Sequence, residues 1–158
     1  SFGTSGTGPG LEETVTGPDP GAGYVVDASV ALKWLIEEDG SEAALSLQSF
    51  PLAAPALLRI EAANVLRSLT ARGAISALEA EDLFAFLQTA PITIVEPDDA
   101  LERRALDLAL GLRHPVYDCL YLALAERTGR TLVTADRRFL RAMGNLGIPA
   151  VALGELPR

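Results

Sequence analysis

The 158-residue sequence has a single cysteine, Cys119, and carries little positive charge. One cysteine cannot form an intrachain disulfide, which excludes a disulfide-stapled secreted domain and fits a reducing compartment such as the cytoplasm. Thirteen Lys and Arg are set against 21 Asp and Glu, so the formal net charge is −8. A protein that coats nucleic acid usually has a basic surface, and that class is disfavoured. An enzyme that reaches a phosphodiester through a bound cation is still compatible with this charge.

The sequence also lacks a long hydrophobic run. None approaches the roughly 20 apolar residues that a membrane-spanning helix needs. The first residues contain no basic region followed by an apolar block, so we expect no signal peptide and no membrane anchor. Hydrophobic residues nevertheless make up 49% of the chain, which is enough for the core of one domain of ordinary size.

Residues 1–23 differ in composition from the rest of the chain, because most of them are Gly, Ser, Thr or Pro. We expect this stretch to be a flexible N-terminal segment, expression-derived or a linker, that lies outside the fold. An arm that docks on a partner is the alternative. The folded domain is predicted to span residues 24–158.

From Tyr24 onward, short apolar runs alternate with amphipathic segments, which is typical of α/β proteins with right-handed crossovers. We predict a three-layer α/β/α sandwich with a mostly parallel sheet of four or five strands and about seven helices. Strands are predicted at 24–27, 50–54, 91–95, 131–134 and 149–153, and the one at 50–54, between two prolines, is the weakest. Helices are predicted at 29–37, 42–48, 55–72, 76–89, 97–111, 116–127 and 137–143.

Four acidic residues lie in apolar surroundings, where an isolated carboxylate is costly to bury. Asp27 and Asp136 each follow a predicted strand, so both can project from the carboxyl edge of the sheet, where open α/β folds bind ligands. Asp118 lies in the first turn of a helix. Glu61 is a polar point on the apolar face of the long helix, and Asn64 is close enough along that helix to hydrogen-bond it.

Carboxylates that are brought together repel one another and raise one another's pKa values unless a cation neutralises them. Oxygen ligands favour Mg²⁺ or Mn²⁺ over zinc. Such a site can activate a water for attack on phosphorus and stabilise the charge that builds up on the phosphate. The sequence therefore indicates a divalent-metal site formed by what we call the acidic quartet: Asp27, Glu61, Asp118 and Asp136.

Each member of the quartet also has a simpler structural role open to it. Asp27 and Asp136 can be N-caps of the helices that follow them. Asp118 can interact with the dipole of its own helix, and Glu61 can pair with an arginine such as Arg59 or Arg103. A common site is favoured because all four positions coincide in one architecture.

Four segments resemble the motifs of the PIN-domain ribonucleases, and most of all those of the VapC toxins of bacterial toxin–antitoxin pairs. The segments are Val25–Ala31, Glu61–Leu66, Tyr117–Ala125 and Leu132–Asp136. Each motif alone is weak, but the four occur in the right order. The resemblance covers about residues 24–153.

The resemblance implies an endoribonuclease toxin that depends on Mg²⁺ or Mn²⁺, cleaves structured or translational RNA and uses the acidic quartet. Thr134 occupies the family's hydroxyl position two residues before the last Asp, and Ser29 matches the small hydroxyl residue after the first. The resemblance also implies a homodimer, and inhibition by a small VapB-like antitoxin protein.

Three arginines, Arg137, Arg138 and Arg141, follow the last acidic position. They form either a solvated helix face or a contact for RNA phosphates or for an acidic antitoxin side chain. His114, the only histidine, is expected to have a loop or helix-cap role, because the metal mechanism does not need it. Cys119 is expected in the core.

Two other classes of protein are alternatives. A receiver-type signalling module also uses edge aspartates and Mg²⁺, but it begins with paired acidic residues and needs a late lysine. Here Asp27 stands alone and no lysine follows Lys33. A non-catalytic binding protein with the same fold is the other alternative, and four intact carboxylates argue against it.

Overall fold

A computed structural model describes residues 22–144 and 146–156 of the chain. Five parallel strands form one sheet in the order β3-β2-β1-β4-β5. They are β1 (Tyr24–Val26), β2 (Leu52–Pro55), β3 (Thr93–Val95), β4 (Thr131–Thr134) and β5 (Ala150–Ala152). The helices that flank them are α1 (Ala28–Leu35), α2 (Ser41–Ser46), α3 (Leu57–Ala71), α4 (Ala77–Gln88), α5 (Asp99–Leu112), α6 (Val116–Thr128) and α7 (Arg137–Met143). The predicted α/β/α class is confirmed.

The second strand corrects the sequence prediction. Residues 50–54 were expected to form a weak strand and Pro55 to open the next helix, whereas all four residues of β2 are buried and Pro55 ends the strand. Pro55 is in register with Val95 of β3, and the amide of Ala56 donates to the Val95 carbonyl at 2.9 Å. The fixed φ of proline suits extended backbone as well as a first helical turn, so composition alone does not separate the two. The other boundaries lie within a few residues of the predictions, apart from a 3₁₀ turn (Leu153–Glu155) after β5.

The start of β1 depends on a glycine. Gly23 has a φ of +87°, and a Cβ at this position would lie 2.0 Å from the carbonyl oxygen of Pro51. The amide of Tyr24 donates to the same oxygen at 2.9 Å. This close approach fixes where the first strand enters the sheet, and therefore where Asp27 leaves it. The predicted flexible segment, residues 1–23, lies almost entirely outside the described residues.

Helix α6 is the buried helix that presents Asp118. Its residues Cys119 and Tyr121–Ala125 are buried, and it packs against β1, β2 and β4. Neighbouring α5 packs against α6, and two exposed ion pairs join the helices: Arg104 with Glu126 at 2.7 Å, and Arg127 with Asp98 at 2.8 Å. No helix in the described part of the chain is both long and apolar enough to cross a membrane.

Candidate active site

Asp27 and Thr134 meet because β1 and β4 are parallel neighbours. Val26 is in register with Val133. The residues that follow them, Asp27 and Thr134, therefore lie side by side at the carboxyl edge of the sheet. The Thr134 hydroxyl donates to Oδ2 of Asp27. Oδ1 of Asp27 accepts from the Ser29 hydroxyl at 2.5 Å and from the Val30 amide at 3.3 Å.

Asp27 is therefore both the N-cap of α1 and a buried carboxylate with hydroxyl donors. Its side chain is almost fully buried, and this burial raises its pKa from 3.8 to about 6. The bonds from Ser29, Thr134 and Val30 act in the opposite direction, because they favour the charged form, while the charge of Asp118 raises the pKa further. The capping role and a place in the site are thus compatible for this residue.

The hydroxyls of Ser29 and Thr134 also support the loop that follows β4. The amide of Ala135 donates to Oγ of Ser29 at 2.9 Å, and the amide of Asp136 donates to Oγ1 of Thr134 at 3.0 Å. The two hydroxyls predicted as supporting residues therefore connect the backbone before Asp136 to the carboxylate of Asp27.

Glu61 lies in the second turn of α3 and faces α6. Oε1 of Glu61 accepts from the hydroxyl of Tyr121 at 2.5 Å. Burial raises the pKa of Glu61, the bond from Tyr121 lowers it, and the charge of Asp118 raises it. Burial, the Glu61 bond and three nearby carboxylates hold the pKa of Tyr121 far above its ordinary range, so the hydroxyl stays protonated and donates.

The predicted partner of Glu61 was Asn64, and this expectation is wrong. Asn64 is exposed and makes no side-chain hydrogen bond within the described residues. The expectation used spacing along one helix, whereas the actual donor comes from α6, 60 residues away in sequence. The alternative pairing of Glu61 with Arg59 or Arg103 is not among the ion pairs of the described residues either.

Asp118 lies in the first turn of α6 and has His114 as its partner. Nε2 of His114 and Oδ2 of Asp118 are 2.7 Å apart. The face of the His114 ring stacks on Phe139 of α7. The sequence placed His114 correctly in a connecting loop, between α5 and α6, but gave no indication that it touches a candidate site residue.

Asp136 is the N-cap of α7. Its Oδ1 accepts from the amides of Arg138 at 3.0 Å and Phe139 at 3.1 Å. The residue is exposed, and its second oxygen accepts no hydrogen bond from the described residues. The capping alternative is therefore realised, and one carboxylate oxygen is left for another partner.

Asp118 is within electrostatic reach of two other members of the quartet, Asp27 and Glu61. The charge of Asp118 raises the pKa of both Asp27 and Glu61. Within residues 22–144 and 146–156, no group of three or more His, Cys, Asp or Glu side chains is arranged so that it could hold a metal ion. The donors do fit a hard divalent cation chemically, since they are all oxygens and their mutual repulsion is what such a cation relieves. The four-ligand metal site accordingly stays a prediction.

The arginines after Asp136 lie on the exposed surface of α7. Arg137 is 3.4 Å from Glu155, an exposed pair that contributes little to stability. Arg138 and Arg141 form no ion pair with any described residue. Cys119, in contrast, is fully buried as predicted, and burial raises the pKa of its thiol to about 11, so it is not a candidate nucleophile.

The sequence profile of the PIN domain family matches residues 24–156. This match spans most of the chain, and the chain therefore belongs to the PIN-domain family. The receiver-type alternative is thereby set aside. No curated protein is similar enough in sequence to be matched.

Solved structures with the same fold include toxins and toxin–antitoxin complexes. PAE2754 from Pyrobaculum aerophilum is 23% identical, with a TM-score of 0.65 and 84% of each chain covered. VapBC2 from Rickettsia felis, bound to a promoter DNA fragment, is 14% identical, with a TM-score of 0.61, covering 82% of this chain and 97% of that one. VapC20 from Mycobacterium tuberculosis, a toxin that cleaves the sarcin–ricin loop, is 16% identical, with a TM-score of 0.57, covering 75% and 94%. At these identities the likeness shows the fold.

Proposed function

We propose that this chain is a Mg²⁺- or Mn²⁺-dependent endoribonuclease that acts as the toxin of a toxin–antitoxin pair. One observation carries the proposal. Asp27 follows the end of β1, Glu61 lies on α3 and Asp118 lies on α6. Asp118 is nevertheless close enough for its charge to raise the pKa of both Asp27 and Glu61. Membership of the PIN-domain family and the likeness in fold to an RNA-cleaving toxin support it.

The acidic quartet would hold the cation. When bound, a divalent cation supplies an activated water and stabilises the charge on the phosphate. The chain's own contribution is to fix the carboxylates before the cation arrives. Ser29 and Thr134 hold Asp27, Tyr121 holds Glu61, and the amides of α7 hold one oxygen of Asp136. Each carboxylate held in place loses less conformational entropy on binding.

The RNA backbone would be guided by Arg138 and Arg141, with Arg137 beside them. These arginines follow Asp136 directly and are exposed, and two of them are free of ion pairs with the described residues. In a chain with a net charge of −8, such a local cluster is where phosphates are expected to approach. The cluster is also suited to an acidic side chain of an antitoxin.

Helices α3 and α4 would contribute to contacts with a protein partner. They pack together and leave large apolar side chains exposed: Ile60, Val65, Leu78 and Phe86. Exposed apolar side chains grouped on adjacent helices often mark an interface. We propose a VapB-like antitoxin and a second copy of this chain as the partners, the first supported by the toxin–antitoxin complexes of the same fold.

The proposal is tested by the chemistry of the RNA ends. Hydrolysis by an activated water leaves a 5′-phosphate and a 3′-hydroxyl, whereas attack by the RNA's own 2′-hydroxyl leaves a 2′,3′-cyclic phosphate. Purified protein with Mn²⁺ should produce the first kind of end, and EDTA should stop the reaction. Cyclic phosphate ends, or cleavage that continues in EDTA, would contradict the metal mechanism. If the purified protein without antitoxin cleaves no RNA but retains the ability to bind the antitoxin, the non-catalytic alternative is supported. Sequencing the fragment ends in the same experiment would identify the target.

A further inference from the structure

His114 is held rigidly between two helices. Its amide donates to the carbonyl of Ala109 at 3.1 Å and so closes the end of α5. The preceding residue, Arg113, is in the left-handed region with a φ of 56°, and the following residue, Pro115, leads directly into α6. With the backbone fixed on both sides, the side chain is directed along the first turn of α6, four residues before Asp118.

The imidazole makes a hydrogen bond to Asp118 that fixes which nitrogen carries the proton. Nε2 lies 2.7 Å from Oδ2 of Asp118, and the side chain of His114 is only 13% exposed. An ionised carboxylate only accepts hydrogen bonds, so we assign the N–H to Nε2. The second oxygen of Asp118 accepts no hydrogen bond from the described residues and stays available for another ligand.

The face of the ring contacts α7, the helix whose N-cap is Asp136. The rings of His114 and Phe139 are stacked, with centroids 4.8 Å apart and an angle of 21° between their planes. Phe139 is buried, and its amide donates to the carboxylate of Asp136 at 3.1 Å. The edge of the His114 ring thus contacts Asp118. Its face contacts Phe139, whose amide donates to the capping carboxylate of Asp136.

We propose that His114 is a positioning residue that holds Asp118 in the orientation in which it binds the divalent cation. The inference rests on the proposed function. The hydrogen bond keeps Oδ2 in place and leaves Oδ1 for the cation, while the stack on Phe139 prevents the ring from moving. Partners of metal ligands that act in this way typically contribute about 10–100-fold to metal affinity.

The test is Mn²⁺ affinity of the full chain, measured by electron paramagnetic resonance and calorimetry at about pH 8, above the pKa of Asp27. His114→Phe keeps an aromatic ring against Phe139 but has no N–H. It should weaken Mn²⁺ binding about 10–100-fold, with the circular dichroism and melting curve of the wild type. His114→Gln restores an N–H donor and should recover most of the affinity. Tyr117→Phe, an exposed neighbour, is the matched control and should bind as the wild type does.

The outcomes separate this inference from the proposed function. Asp118→Asn should bind Mn²⁺ more weakly than any His114 variant. If Asp118→Asn binds Mn²⁺ weakly while His114→Phe binds it as tightly as the wild type, His114 has no positioning role. That result would still support the proposed metal site. If neither the wild type nor Asp118→Asn binds Mn²⁺, both ideas fall. Should His114→Phe not fold, His114→Leu gives the same comparison. RNA cleavage by these His114 variants should be restored by excess Mn²⁺. Because bound Mn²⁺ also stabilises the folded state, their melting curves in EDTA must match that of the wild type for this rescue to report the metal site.

Discussion

The hydroxyl of Thr134 donates to the carboxylate of Asp27 across a separation of 107 residues in sequence. Thr131, at the other end of the same strand, is also buried, but its hydroxyl has no hydrogen-bond partner within the described residues. Both threonines of β4 are buried, but among the described residues only Thr134 uses its hydroxyl in a hydrogen bond.

This difference leads to a matched pair of substitutions. Thr134→Val should lower the free energy of unfolding by about 1–3 kcal/mol at pH 8, because a buried carboxylate loses a donor. Thr131→Val should cost nothing or stabilise the protein, because it removes an unpartnered hydroxyl. Urea unfolding of both variants measures the effect, and equal losses of stability would show that the Thr134 bond contributes nothing specific.

Asp27 should make the stability of the metal-free protein depend on pH. Its pKa is about 6 in the folded chain against 3.8 for the free side chain, mainly because burial disfavours the charge. The stability that the protonated group contributes is complete below about pH 4 and is lost as pH rises through 6, by roughly 3 kcal/mol in all. Asp27→Asn removes this dependence. The difference in unfolding free energy between wild type and Asp27→Asn, measured in EDTA, should therefore shift in favour of the variant between pH 4 and pH 8. A difference that is the same at both pH values would contradict the assignment.

Tyr121 should support Glu61 through its hydroxyl alone. Tyr121→Phe keeps the buried ring but leaves the half-buried carboxylate without its donor, which raises the pKa of Glu61 and should slow RNA cleavage most at low pH. Tyr117→Phe is the control, because Tyr117 is 60% exposed and the side chain makes no hydrogen bond among the described residues. The rate of RNA cleavage by the two variants is measured as a function of pH. Identical pH profiles would show that the Tyr121 hydroxyl does not support Glu61.

Arg138 and Arg141 should bind RNA phosphates. The double alanine variant should raise the KM for RNA with little change in kcat, and should reduce the salt slope of binding by about 0.7 for each lost contact. Arg72→Ala is the control, because Arg72 follows the far end of α3, about 20 Å along the helix from its start. An unchanged salt slope in the double variant would show that these arginines do not contact RNA phosphates. They would then be solvated side chains or contacts for the antitoxin.

The sequence predicts those parts of the site that depend on a single element. The strand that ends in Asp27 and the helix that carries Asp118 follow from apolar patterning, and the class of fold follows from their alternation. The sequence does not decide whether Asp27 and Asp136 are helix caps or metal ligands. Each carboxylate caps a helix, and this does not prevent it from also binding a cation.

Contacts between elements could not be predicted from one sequence. The Tyr121–Glu61 bond depends on how α6 packs beside α3, and the His114–Phe139 stack depends on how α7 packs beside the loop before α6. The strand at 50–54 was predicted, but its end at Pro55 was placed in the next helix for a local reason, since proline fits the end of a strand and the start of a helix equally well. Asn64 was expected to bond Glu61 because spacing along a helix identifies only neighbours on that same helix. The observed donor, Tyr121, lies on a different helix.

The most direct test of the central claim is the RNA cleavage rate of four single variants measured side by side in saturating Mn²⁺. The variants are Asp27→Asn, Glu61→Gln, Asp118→Asn and Asp136→Asn, with Asp82→Asn on the exposed surface of α4 as control. Each quartet variant should lose at least about 100-fold in rate, more than is typical for an outer partner of a metal ligand, while its circular dichroism stays that of the wild type. Asp82→Asn should cleave at the wild-type rate. A quartet variant that cleaves RNA as fast as this control would contradict the four-carboxylate site.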